Sequence, residues 1–218
     1  MSRTAEGAIA EAAGFVLAGG QSSRMGSDKA LAPLGGRPLI AHAIEILRSV
    51  GLPISIAGAR SSLANYALVV EDAGAGPLRG ICNALSTTSA RYAVLLSVDM
   101  PLIPPSLVGT MLDTARLREA GVTVCAVNGF RETFPCVVDR DLLPALEQEE
   151  QGGNTGCFSA MRAAAGRMRR PFDEMVVENL VQTGHIACGD GLPPAFWFLN
   201  VNTPADLARA ERFLAAIA

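Results

Sequence analysis

Histidine and lysine are scarce in this 218-residue chain: two histidines, His42 and His185, and one lysine, Lys29. A histidine-rich metal cluster is therefore excluded. The five cysteines, Cys82, Cys125, Cys136, Cys157 and Cys188, are odd in number and contain no C-x-x-C pair. Neither a zinc site nor a disulfide framework follows from such spacing, and buried reduced thiols are the expectation. The G-x-S-x-G elbow of serine hydrolases is missing as well. No apolar run approaches the roughly 18 residues a membrane-spanning helix needs. Glu6 and Glu11 interrupt the apolar stretch a signal peptide would carry, so a soluble, cytoplasmic protein is expected. Charged residues make up only 18% against 50% hydrophobic, which excludes a disordered chain. A net charge of -3 argues against a dedicated nucleic-acid or membrane partner.

What is present is alternation. Gly14–Leu17 reads as a first strand, followed by a long polar loop to Arg37. Pro38 opens a helix with apolar positions Leu39, Ala43, Ile46, Leu47 and Val50, and Gly51 ends it. Strands follow at Ile54–Ile56 and Ala67–Val70, then a helix at Leu78–Thr88. Tyr92–Val98 is almost continuously apolar, as strands covered on both faces are. A helix runs from Pro104 to about Ala120, and Val122–Val127 returns as a strand. Asn128-Gly129 signals a type I′ turn into a partner strand around Phe134–Val138. Short helices from about Asp141 and Gly156 come next, then a stretch from Met168 to Pro194 without a readable period. Ala195–Val201 is expected as the last strand, and Thr203, Pro204 and Asp206 as the cap of a final helix. The pattern predicts an α/β fold: a three-layer α/β/α domain over residues 14–218, behind a tail of residues 1–13.

In open α/β sheets, ligands bind beyond the carboxyl ends of the strands. After the first strand comes Leu17-Ala18-Gly19-Gly20-Gln21-Ser22-Ser23-Arg24-Met25-Gly26-Ser27-Asp28-Lys29. The glycine pair lets backbone N–H groups approach phosphate oxygens, and Arg24 and Lys29 supply charge for a polyphosphate. The loop matches neither the P-loop nor G-x-G-x-x-G. All 17 other basic residues are arginine (18 in total, less Lys29), so the placement of the one lysine here points to a need for a compact ammonium. Asp99 ends an apolar strand. A carboxylate there can hold Mg²⁺ beside substrate phosphates or simply begin a turn, and position does not choose. Asp72 precedes a glycine-rich turn, Asn200 and Asn202 flank the expected last strand, and Arg162, Arg167, Arg169 and Arg170 form a basic cluster that reads more readily as a solvated face than as a phosphate receptor.

The stretch L-A-G-G-Q-S-S-R-M-G-S-D-K-A-L-A-P-L-G-G-R-P-L-I closely resembles the signature of the molybdenum cofactor guanylyltransferases. Gly76-Pro77-Leu78-Arg79-Gly80-Ile81, Val98-Asp99-Met100-Pro101 and Asn200-Val201-Asn202-Thr203-Pro204 resemble that family's later motifs in the same order. The resemblance implies a Rossmann-like, nucleotide-diphospho-sugar transferase-like fold with a mostly parallel sheet. It implies transfer of GMP from GTP to molybdenum-bearing molybdopterin, with release of pyrophosphate. It further implies that Leu17, Ala18, Gly19 and Gly20 bind the nucleotide with Lys29 and Asp72, that Asp99 holds Mg²⁺, and that Asn200 and Asn202 face the pterin. Arg24, Lys29 and Asp99 would carry the catalysis, and a molybdoenzyme or its chaperone would be a further partner. One departure is Ala57, where some relatives place a nucleotide-binding asparagine. A different donor such as CTP, a sugar-phosphate acceptor, or a non-catalytic carrier of the cofactor are the alternative readings.

Overall fold

The computed structural model describes residues 10–19, 28–58, 61–70, 76–186 and 191–217. The first strand, β1, spans Ala12–Leu17, so it begins two residues before the expected boundary. A short ribbon of β2 (Pro33–Leu34) and β3 (Arg37–Pro38) leads to helix α1 (Leu39–Ser49). Then come β4 (Ile54–Ala57), β5 (Leu68–Val70), α2 (Pro77–Thr87), β6 (Tyr92–Ser97) and α3 (Pro105–Arg118). The hairpin β7 (Val122–Val127) and β8 (Phe130–Asp139) turns at Asn128 and Gly129, whose φ values of 51° and 77° are those a type I′ turn requires. The second half continues with α4 (Leu143–Gln151), α5 (Cys157–Arg167), β9 (Phe172–Val176), α6 (Val177–Gln182), α7 (Pro194–Trp197) and α8 (Pro204–Ile217).

The described strands build a seven-stranded sheet in the order β5-β4-β1-β6-β8-β7-β9, in which β8 runs against the rest. Alternation along the strands makes two cores. Val16, Tyr92, Val94 and Leu96 pack with α1, α3 and part of the C-terminal region, whereas Phe15, Leu17, Ala93 and Leu95 pack with α2, α4 and α5. The three-layer expectation holds, with burial on both faces explaining the unbroken apolar run of β6. At Gly14 a Cβ would stand 3.2 Å from Leu47 Cδ1, so the missing side chain lets α1 close onto β1.

Two expectations are corrected. The unreadable stretch contains an edge strand, β9, whose mixed sequence Phe-Asp-Glu-Met-Val pairs, among the described residues, with β7 alone and is half exposed. Ala195–Val201 is not a strand. Pro194, its φ already set for a helix, instead stands at the first position of one helical turn that buries Trp197, whose Nε1 donates to the Leu192 carbonyl at 2.8 Å. The chain then crosses the sheet edge irregularly, held where Val201 N donates to the Asp99 carbonyl at 2.8 Å.

Candidate active site

The carboxyl ends of β1, β4 and β6 meet at one edge of the sheet. Ala18 N donates to the Ala57 carbonyl at 2.9 Å and Val98 N to the Leu17 carbonyl at 3.1 Å, which carries the strand pairing one residue past β1 on both sides. Leu17 and Ala18 are thereby buried, and Gly19 emerges exposed. Gly20 and Arg24 lie outside the described residues, as does Asp72. Gly58 was not singled out from the sequence. A Cβ there would stand 3.0 Å from the Ala18 carbonyl carbon and 3.1 Å from Gly19 N, so glycine allows the two strand exits to cross. A glycine immediately after a strand was the available signal.

Lys29 opens a 3₁₀ turn capped by Asp28, whose Oδ1 accepts from Ala30 N at 3.1 Å, while Ala30 is buried. That anchoring directs the lysine back across the sheet edge. Its Nζ donates to Asp99 Oδ2 at 2.8 Å and to Asn202 Oδ1 at 2.6 Å, joining positions 70 and 173 residues away. The side chains of Lys29 and Asp99 are only 15% and 18% exposed.

Asp99 sits in the turn after β6, where Met100 N donates to the Ser97 carbonyl at 3.2 Å. Both sequence readings of Asp99 are therefore compatible with its position, but its side chain faces Lys29. Among the described residues its other oxygen, Oδ1, is buried with no hydrogen-bond partner. A desolvated carboxylate oxygen left without a donor is costly, so a cationic ligand there would relieve it. Among the described residues no cluster of three or more His, Cys, Asp or Glu could hold a metal by itself. A single carboxylate suits an ion whose remaining ligands are phosphates and water.

The structure separates the two asparagines. Asn202 joins the lysine–aspartate pair, whereas Asn200 is exposed and among the described residues reaches only the Phe198 carbonyl at 3.5 Å. The basic cluster disperses too. Arg167 pairs with Gln148 and Glu149 on α4, and Arg170 with the fully buried Asp139, which also accepts from Arg91. Asp139 lies opposite Tyr92, at the far end of β6 from Asp99, so this basic knot braces the opposite edge of the sheet. Cys82, Cys125, Cys136 and Cys157 are buried free thiols, as expected, while Cys188 lies outside the described residues.

A lysine and an unsatisfied carboxylate beside a glycine-bearing strand exit are suited to binding phosphates and a cation, and comparison with known proteins makes the class specific. The family model of the MobA-like NTP transferase domain matches residues 14–168. The enzyme is thus a nucleotidyltransferase. A molybdenum cofactor guanylyltransferase of Shewanella halifaxensis is 37% identical over 196 residues, covering 87% of this chain and 88% of its own. Molybdopterin-guanine dinucleotide biosynthesis protein A of Archaeoglobus fulgidus has the same fold, with a TM-score of 0.73 at 20% identity over 93% of this chain and 98% of that one. A Mycobacterium tuberculosis protein, solved as a complex with manganese, superimposes with a TM-score of 0.61 at 19% identity over 93% and 98% of the two chains. This chain belongs to the molybdenum cofactor guanylyltransferase family and serves molybdenum cofactor biosynthesis.

Proposed function

We propose that the enzyme transfers GMP from GTP to molybdenum-bearing molybdopterin. The observation that carries the reading is the Lys29–Asp99 pair, whose buried Oδ1 has no hydrogen-bond partner among the described residues, at the edge of the sheet where Leu17, Ala18 and Gly19 leave β1. The terminal phosphate oxygen of the pterin attacks the α-phosphorus of GTP, the bond from that phosphorus to the bridging oxygen breaks, and pyrophosphate leaves with the electron pair. The acceptor is already anionic, so no strong general base is required. The difficulty is to hold two anions in line, and fixed positive charge does that. Lys29 supplies an ammonium held in place by Asp99 and Asn202. Mg²⁺, or another divalent ion such as the manganese of the mycobacterial neighbour, would be held by Asp99 and would neutralise charge on the phosphates. Gly20 and Asp72 are assigned to the nucleotide with Leu17, Ala18 and Gly19, Arg24 to catalysis with Lys29 and Asp99, and Asn200 and Asn202 to the pterin side.

The same reading treats residues 14–218 as one nucleotidyltransferase domain and places the enzyme in the cytoplasm, delivering its product to a molybdoenzyme or its chaperone. Among the described residues no helix is long and apolar enough to cross a membrane. One feature favours testing other donors: Ala57 is 1% exposed at the end of β4 and offers no side-chain donor or acceptor to a base or ribose. Pyrophosphate release is therefore measured with Mg²⁺, loaded molybdopterin and GTP, CTP, ATP or UTP separately. Release with GTP alone, dependent on the pterin, is expected. Release with CTP instead would change the product, and release with none would favour a carrier.

A further inference from the structure

The cap of α8 reaches beyond its helix. Asp206 Oδ2 accepts from Thr203 N and from Thr203 Oγ1, each at 2.8 Å, and Thr203 Oγ1 accepts from Asp206 N at 3.2 Å. That reciprocal pair is a capping box. The same oxygen also accepts from Asn202 N at 3.1 Å, a residue that precedes the cap and adds nothing to the helix. One residue further back, Val201 N is tied to the Asp99 carbonyl at 2.8 Å. Residues 201, 202 and 203 are thus fixed in succession, and the side chain so aimed is the Asn202 amide on Lys29 Nζ at 2.6 Å.

We propose that Asp206 is a positioning residue for nucleotidyl transfer, acting through Asn202 to hold the Lys29 ammonium where the triphosphate binds. The proposal rests on the nucleotidyltransferase reading of this site. A lysine stem carries several freely rotating bonds, and an ammonium that must stabilise a transition state works best when its place is set beforehand. The choice of asparagine matters for the same reason. An amide oxygen accepts a hydrogen bond without cancelling the positive charge, whereas a second carboxylate beside Asp99 would neutralise the ammonium that the phosphates need. The bonds from Thr203 and Asn202 hold the Asp206 carboxyl below the usual carboxylate range, the Thr203 side chain contributing most, so the acceptor stays ionised at neutral pH.

The test is a double-mutant cycle on the full chain: wild type, Asp206→Ala, Asn202→Ala and the double variant, each assayed for kcat and KM in pyrophosphate release and for affinity toward GTP. Each single change is expected to lower kcat/KM about tenfold, with the double variant no worse than Asn202→Ala, because coupled residues do not add. Asp206→Glu, which keeps an acceptor of the capping-box type, should restore most of the loss. The loss of helix capping would lower the melting temperature equally in both backgrounds, which separates stability from catalysis. Effects that multiply in the double variant, or full activity in folded Asp206→Ala, would overturn the proposal. If Asp206→Ala does not fold, Asp206→Asn takes its place. A wild type that turns over no nucleotide would sink the nucleotidyltransferase reading instead, and the cycle read on nucleotide affinity would still decide the positioning role.

Discussion

Replacing Asp99 with asparagine preserves the shape of the side chain and removes its charge. At 2.8 Å, the attraction between the Lys29 ammonium and Asp99 Oδ2 is about 6 kcal/mol gross at an effective dielectric constant of about 20. Desolvation of two side chains that are 15% and 18% exposed offsets most of that, and the asparagine oxygen still accepts from Nζ. The loss of folding stability should therefore stay below about 2 kcal/mol, as a shift in the urea midpoint at unchanged slope. The catalytic loss should be far larger. Among the described residues buried Oδ1 has no hydrogen-bond partner, so the charge on that oxygen stabilises no contact of the fold there. If that charge holds a cation against the phosphates, its removal should lower pyrophosphate release on the order of 10²-fold or more and raise the divalent-ion concentration needed. A rate within a few-fold of wild type, with the same metal dependence, would refute the reasoning.

Three further outcomes follow from packing and burial. Gly58→Ala should weaken nucleotide affinity more than stability, because the added carbon meets the Ala18 and Gly19 backbone at 3.0 to 3.2 Å; equilibrium binding of GTP checks it, and unchanged affinity would contradict the crossing argument. Gly14→Ala should lower stability by about 1–2 kcal/mol, since its Cβ would stand 3.2 Å from Leu47 Cδ1 in a filled core; calorimetry would show no change if α1 can simply move away. Burial pushes Cys82 and Cys157 up to about 11, Cys125 up to about 12, and Cys136 well above its ordinary value. Folded thiols that stay protonated while unfolded ones ionise give stability present below about pH 9 and lost above it, at about 1.4 kcal/mol per pH unit for each thiol. Cys136→Ala should flatten that alkaline slope by one thiol's share, and an unchanged slope in urea titrations between pH 9 and 10.5 would count against it.

The order of elements was legible wherever local chemistry and burial agree. The apolar run of Tyr92–Ser97, the period of Leu39–Ser49, the Asn128-Gly129 turn and the Thr203–Asp206 cap each carry their own signal, because the forces that shape them act between near neighbours. Lys29 and Asp99 could be named as chemistry from their positions after strands. Two things could not be read locally. The edge strand β9 has no hydrophobic period, since its pairing with β7 supplies what its sequence lacks, and Ala195–Val201 looks like a strand because the residues that bury Trp197 and Phe198 are equally apolar. The meeting of Lys29, Asp99 and Asn202 across 70 and 173 residues belongs to the tertiary structure alone. Residue types and strand ends determine which groups can react, but only the folded sheet edge, with Val201 tied to Asp99 and Asn202 tied to Asp206, decides which of them touch.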